Sequence, residues 1–295
     1  MKTLLAYAQL LRLPNALTVI ADGLLALGSA GVLLAQPGPS AFALAAGVSL
    51  YLAGMAFNDV FDRHDDAKHR RFRPIPSGRV SVRSAVILGI VLLLAGLGCG
   101  VAASAGAFVP LLWLGCLTAS ILAYDGGMKS TPFGPIVMGS CRFFHLLFGL
   151  TLGTELPTEV VVHLAAIIGI YIVGVTWFAR TEELSGPKWE LKPAAGVLVL
   201  ALGLALLLPL HETFAQAYRL FPYLLFGYGA ILSGPVLRAI RDPRPMHVQA
   251  AVKRTILGLI ALDAILLALT LGWPAAALVL LYLPARLLGR WVYST

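Results

Sequence analysis

Charge is what this sequence has least of. Asp, Glu, Lys and Arg make up 12% of its 295 residues while 59% are hydrophobic, and a soluble domain carries roughly 25% charged residues. Together with a mean hydropathy of +0.86, that excludes one or two water-soluble domains. Cysteine is equally sparse: Cys99, Cys116 and Cys141 fall within apolar runs with no CxxC or zinc-type spacing, so neither a disulfide framework nor a thiol site is expected. Strict alternation of apolar and polar residues is also missing. Residues 85–101 and 197–210 are apolar on every face, which excludes the strands of an outer-membrane barrel and predicts helices. No fixed repeat, low-complexity tract or Ser-rich linker divides the chain, so residues 1–295 read as a single domain. Pro14 and Asn15 interrupt the first apolar run and no small-residue cleavage site follows it; it reads as a first span, not a cleaved signal.

What is present is a series of apolar runs near the ~20 residues that cross a bilayer. They lie at roughly 14–35, 40–58, 83–104, 107–124, 134–153, 158–179, 193–210, 218–240 and 254–272. That makes nine spans, with a shorter stretch at 274–290 as a candidate tenth. Acidic residues number 14 against 22 Lys and Arg, a formal net charge of +8. The basic residues cluster in alternate loops: Lys2 and Arg12, Arg63 to Arg83, Lys129, Arg180 to Lys192, and Arg238 to Arg254, with Arg219 on the opposite side. This one-sidedness accounts for the charge without a nucleic-acid partner, and by the positive-inside rule it puts those loops in the cytoplasm. Arg286 and Arg290 join that face only if 274–290 crosses, which mildly favours ten spans. The expectation is an all-α, polytopic membrane helical bundle: integral, multi-pass, surrounded by membrane lipids, with no obligate protein partner and with its chemistry facing the cytoplasm.

Span 2 ends in Phe57-Asn58-Asp59-Val60-Phe61-Asp62-Arg63-His64-Asp65-Asp66. Asn58, Asp62 and Asp66 follow at i, i+4 steps and form one stripe if the helix continues. Carboxylates at that spacing repel, so the face needs a cation: Arg63, Lys68 and Arg70 at a solvated helix end, or Mg²⁺, which oxygen donors alone suit and which also takes phosphate and water. Next comes a basic loop stiffened by two prolines, Lys68-His69-Arg70-Arg71-Phe72-Arg73-Pro74-Ile75-Pro76-Ser77-Gly78-Arg79. Arginines beside metal-binding carboxylates suit a diphosphate whose charge the metal only partly neutralises, with Arg71 and Arg73 the preferred contacts. Arg142, inside span 5, needs a partner or a polar cavity, and Asp22 and Asp263 are ionisable at membrane depth without an assigned role. His145 and His163 lack ligand spacing and read as packed residues.

Asn58-Asp59-x-x-Asp62-x-x-x-Asp66 followed by Arg73-Pro74-Ile75-Pro76-Ser77-Gly78-Arg79 resembles the first signature of the UbiA superfamily of intramembrane prenyltransferases. Tyr124-Asp125 and Lys129 are similar to that family's Tyr-Asp…Lys segment. The resemblance implies that Asn58, Asp62 and Asp66 hold Mg²⁺ and an allylic diphosphate, that Lys129 contacts the diphosphate, that Tyr124 lies near the pocket, and that Arg142 is a further diphosphate contact. Where the family shows a second aspartate-rich motif, this chain reads Ala179-Arg180-Thr181-Glu182-Glu183. Glu182 and Glu183 offer carboxylate oxygens, but adjacent side chains on a helix point about 100° apart, so both meet one metal only at a break. This variant resembles the EboC-like branch.

The expected activity is transfer of an isoprenoid group from an allylic diphosphate donor to a small-molecule or lipid acceptor, assisted by Asp62, Asp66, Lys129 and Tyr124. Phe57, Tyr124 and Trp177 offer π faces to a developing cation. A terpene cyclase acting on the diphosphate alone and a non-catalytic lipid-binding or transport protein are the alternatives. The long signature of the CDP-alcohol phosphotransferases, another Mg²⁺-using membrane class, is absent.

Overall fold

A computed structural model describes residues 2–153, 156–181, 188–214, 219–289 and 291–292. Among them there is no strand, and the helices run α1 (Lys2–Leu10), α2 (Leu13–Ser29), α3 (Val32–Ala35), α4 (Pro37–Phe61), α5 (Arg63–His69), α6 (Val82–Ser104), α7 (Phe108–Asp125), α8 (Gly134–Leu150), α9 (Thr158–Arg180), α10 (Leu191–Leu207), α11 (Phe221–Arg241), α12 (Pro245–Leu271) and α13 (Tyr282–Leu288). Seven of these segments are long and apolar enough to cross a membrane: α4, α6, α7, α9, α10 with its continuation to Leu210, α11 and α12. Residues 3–10 and 13–29 meet the same test together but are bent by 48°. Gly134–Leu150 and Trp273–Leu288 are shorter apolar helical segments, the latter opening as a 3₁₀ helix.

Local chemistry explains the boundaries. Arg12 sits between α1 and α2 in the left-handed region (φ 46°), and Pro14, with no amide hydrogen to lose, falls in the first turn of α2. Pro37, Pro135, Pro222 and Pro245 open α4, α8, α11 and α12 in the same way. Ser81 caps α6 by accepting from the Ser84 amide at 3.0 Å. The first span, expected to run to residue 35, instead stops at Ser29, because Gly31 takes φ 73° and turns the chain into the short α3. The ninth begins nine residues earlier than its apolar run, at Pro245, since the turns from Pro245 to Lys253, which carry His247, Gln249 and Lys253, are helical ahead of the apolar run.

The large helices pack in chain order, α2 on α4, α4 on α6, α6 on α7 and so on to α11 on α12, and the ring closes where α12 returns to α2. Inside the ring α2 also meets α8, and α12 meets α9. The outer faces stay apolar, with Ile87, Ile90, Val91, Leu94 and Val101 of α6 exposed, as lipid contact requires. Small residues set the closest approach: a Cβ on Gly139 of α8 would lie 2.4 Å from Val173 Cγ2 and 2.6 Å from the Gly169 carbonyl of α9.

Candidate active site

At the end of the ring that carries the basic loops, a cavity of about 630 Å³ opens between α2, α4, α7, α8, α9 and α12. Its polar wall is built from the end of α4. Phe61 closes that helix and Asp62 is the junction residue before α5, yet the Asp62 amide still donates to the Asn58 carbonyl and the Asp66 amide to the Asp62 carbonyl, both at 2.9 Å. The stripe therefore survives the helix junction, and Asn58, Asp62 and Asp66 all line the cavity.

Each member of the stripe has a partner. Lys129 Nζ lies 2.6 Å from Asp62. Arg73 reaches Asp66 at 2.9 Å, with Arg70 at 3.8 Å from the same carboxylate. Asn58 donates from Nδ2 to Asp125 at 3.1 Å and accepts on Oδ1 from Arg12 at 3.3 Å. Burial holds the Asp66 carboxyl above the usual carboxylate range, with the Arg73 guanidinium opposing that shift. Arg12, Arg70, Arg73, Lys129, Arg142 and Arg180 line the cavity against the carboxylates of Asp62, Asp65, Asp66 and Asp125. A space with six cations and four carboxylates on its wall, closed in by apolar helices, is set up for a polyanion.

Several residues of this wall had no individual role assigned from the sequence. Asp59, off the stripe, is buried and lies 3.6 Å from Arg12 and 3.4 Å from Arg73, so it orients two cavity arginines. Asp125 and Arg12 were visible as an acid ending one apolar run and a cation interrupting another. Arg180 donates to the backbone carbonyls of Lys129 and Thr131, tying α9 to the loop that presents Lys129.

The remaining expected residues divide. Tyr124 and Arg142 line the cavity. Arg142 pairs with Asp22, donates to Thr18 at 2.8 Å and lies 5.8 Å from the centre of the Tyr51 ring, so its charge is already matched by a helix neighbour. Arg71 is not brought to the cavity: it is exposed and donates to the Ala67 carbonyl at 3.2 Å, because the turn after α5 directs Arg70 and Arg73 inward instead. Phe57 packs against Gly89, and Trp177 donates to Glu190 at 2.9 Å. Glu182 and Glu183 lie outside the described residues.

Among the described residues no three His, Cys, Asp or Glu side chains group as a metal cage. Mg²⁺ does not ask for one, since it takes one or two carboxylates and completes its shell with substrate phosphate and water. Asp62, Asp66 and the Asn58 amide oxygen on one wall of a roomy cavity fit that habit.

The model of the UbiA prenyltransferase family matches residues 24–245. The digeranylgeranylglyceryl phosphate synthase of Ignicoccus hospitalis is 30% identical over 275 residues, covering 84% of this chain and 86% of that protein. Among solved structures, one of a digeranylgeranylglyceryl phosphate synthase in membranes superposes with a TM-score of 0.65 at 21% identity, covering 92% of this chain and 99% of that one. A UbiA homologue from Archaeoglobus fulgidus bound to GPP and Mg²⁺ superposes with a TM-score of 0.56 at 14% identity, over 95% and 99% of the two chains.

Proposed function

Because the chain belongs to the UbiA prenyltransferase family, and is an integral membrane prenyltransferase, we propose that it transfers an isoprenoid group from an allylic diphosphate to a hydroxyl of a glycerol-phosphate lipid, with Mg²⁺ as cofactor. The observation that carries this reading is the cavity wall on which Lys129 and Arg73 stand against Asp62 and Asp66 at the head of an apolar shaft. The relatives named digeranylgeranylglyceryl phosphate synthase support a glycerophosphate acceptor over the acceptors of an EboC-like branch.

Asp62, Asp66 and Asn58 would hold Mg²⁺, which when bound neutralises diphosphate oxygens and eases their departure. Lys129 and Arg73 turn from their carboxylates to the leaving diphosphate, and Arg70 and Arg12 add positive charge around it. Arg71 lies further out, where it meets a substrate only on entry, and Arg142 acts from below. The allylic carbon–oxygen bond breaks with its electron pair staying on diphosphate. The acceptor oxygen supplies the pair for the new carbon–oxygen bond and gives up its proton. Tyr124 faces the developing cation, while the apolar helices keep water from capturing it. Glu182 and Glu183 follow Thr181 directly after cavity-lining Arg180, which favours them as further carboxylates for metal. The bent pair α1–α2 and the short α8 complete nine spans, 273–288 makes the tenth, and the basic mouth faces the cytoplasm.

Purified protein in lipid, given Mg²⁺, geranylgeranyl diphosphate and geranylgeranylglyceryl phosphate, should yield the doubly prenylated lipid by mass spectrometry. A hydrocarbon or alcohol formed equally from donor alone would identify a cyclase, and release of no diphosphate from any isoprenoid donor would end the reading.

A further inference from the structure

Away from the carboxylates the cavity becomes an apolar shaft. Leu50, Leu117, Ile121, Val175 and Leu259 line it, and on α4 it descends from Asn58 to Gly47, about 16 Å at the helical rise of 1.5 Å per residue. It then stops at one level on five helices: the deepest lining residues are Val19 of α2, Gly47 of α4, His145 of α8, Ile172 of α9 and Leu259 of α12. One turn further, Asp22 and Asp263 are fully buried. There α2 and α8 are zipped together, since a Cβ on Gly149 would lie 2.7 Å from that of Ala26.

His145 is the side chain that closes this end. The residue is 5% exposed, and its ring is seated in a notch of α4 where a Cβ on Gly47 would come within 2.2 Å of Nε2. Its Nδ1 lies 3.9 Å from Asp22 Oδ2, and Asp22 is also held by Arg142. An apolar tail descending the shaft therefore meets an imidazole backed by a buried ion pair, and threading past that pair would leave charges unmatched at membrane depth.

We propose that His145, propped by Gly47 and Asp22, is the floor of the isoprenoid channel and fixes the tail length the enzyme accepts. The inference rests on the prenyl transfer proposed above and names which part of that site reads the donor. Shortening the side chain lengthens the shaft, and adding a methyl to Gly47 drives the ring upward and shortens it.

The test compares wild type, His145→Ala, Gly47→Ala and the double variant on geranyl, farnesyl and geranylgeranyl diphosphate with one acceptor. The readouts are kcat/KM for each donor and, in parallel, the affinity for each diphosphate by thermal shift. His145→Ala should raise the geranylgeranyl-to-geranyl ratio at least about tenfold, the scale set by one methylene in an apolar pocket. Gly47→Ala should lower it, and the double variant should return toward wild type because the new methyl occupies the vacated space. Gly47→Ala retains the imidazole and reads the opposite sign, so the question is answered even if His145→Ala fails to fold. Turnover with the same length profile in all variants overturns the floor. Absent turnover with a shifted affinity profile keeps the floor and overturns the transfer reaction instead.

Discussion

Replacing Arg142 with Met isolates a buried ion pair between α2 and α8. The Asp22 side chain is 0% exposed and that of Arg142 is 12% exposed, and α2 and α8 meet through their pairing. Removing the cation leaves a fully buried carboxylate with His145 Nδ1 at 3.9 Å as its remaining cationic neighbour and Asp263, also 0% exposed, on another helix nearby. Breaking a buried pair from one side costs about 3–5 kcal/mol, a fall in Tm of roughly 6–20 °C. Asp22→Asn combined with Arg142→Met removes both charges, keeps an amide able to hydrogen-bond Asp263, and should recover most of the loss. Thermal unfolding of the detergent-solubilised proteins, followed by tryptophan fluorescence, measures all three. If Arg142→Met unfolds with wild type, the pair is not holding the bundle and the reasoning fails. The double variant also separates two roles: restored stability with restored transfer makes Arg142 structural, whereas restored stability without transfer makes it a contact to substrate.

Lys129→Ala should reduce kcat/KM for diphosphate release at least about 10²-fold, as loss of one preorganised charge at a leaving group does, with Lys129→Arg intermediate. The pH profile should carry the mark of Asp66: burial holds its carboxyl above the ordinary value of about 3.9, and its protonated form cannot hold a metal. Mg²⁺-dependent turnover should therefore fall as pH drops through that raised value, and this acid limb should move in Asp66→Asn. Gly139→Leu places atoms where the Val173 methyl and the Gly169 carbonyl already lie; since the backbone of α9 cannot give way, thermal unfolding should show a loss of about 1–3 kcal/mol.

The bundle was legible because lipid-facing helices must be apolar all round, so the run at 83–104 marked α6 (Val82–Ser104) almost to the residue. The break at Gly31 was not, since Ala30 and Gly31 are as apolar as their neighbours and only the backbone angle distinguishes them. On the cavity wall, Asn58, Asp62 and Asp66 share the face that their i, i+4 spacing implied, and Arg73 of the Pro-stiffened loop joins them, because local spacing determines which side chains share a face. Spacing says nothing about what lies opposite. Arg12 meets Asn58 from 46 positions away and Asp125 meets it from 67, so their roles emerged only when the ring closed. By charge and position in the basic loop Arg71 and Arg73 were equal candidates, and the turn after α5 sent one to solvent and the other to Asp66.

The pairing that closes the stripe has its own consequence for how ligands enter. Asp62 is held by Lys129 and Asp66 by Arg73. A diphosphate arriving alone would draw the two cations away and leave two carboxylates facing phosphate. Mg²⁺ arriving alone would take the carboxylates and leave Lys129 and Arg73 beside a divalent cation. Arriving together, metal and diphosphate exchange partners with the wall so that every charge stays matched. Each should therefore raise the other's affinity by the same factor, between roughly 5- and 150-fold for a coupling of about 1–3 kcal/mol. Calorimetry with Mg²⁺ titrated in the presence and absence of inorganic diphosphate, and the reverse, gives the two factors once the complex formed in solution is subtracted. Lys129→Ala, which removes one of the two exchanging pairs, should shrink both factors together. Independent affinities in the wild-type protein would mean that the carboxylates and cations of this wall do not trade partners, and that the ion pairs persist in the loaded enzyme.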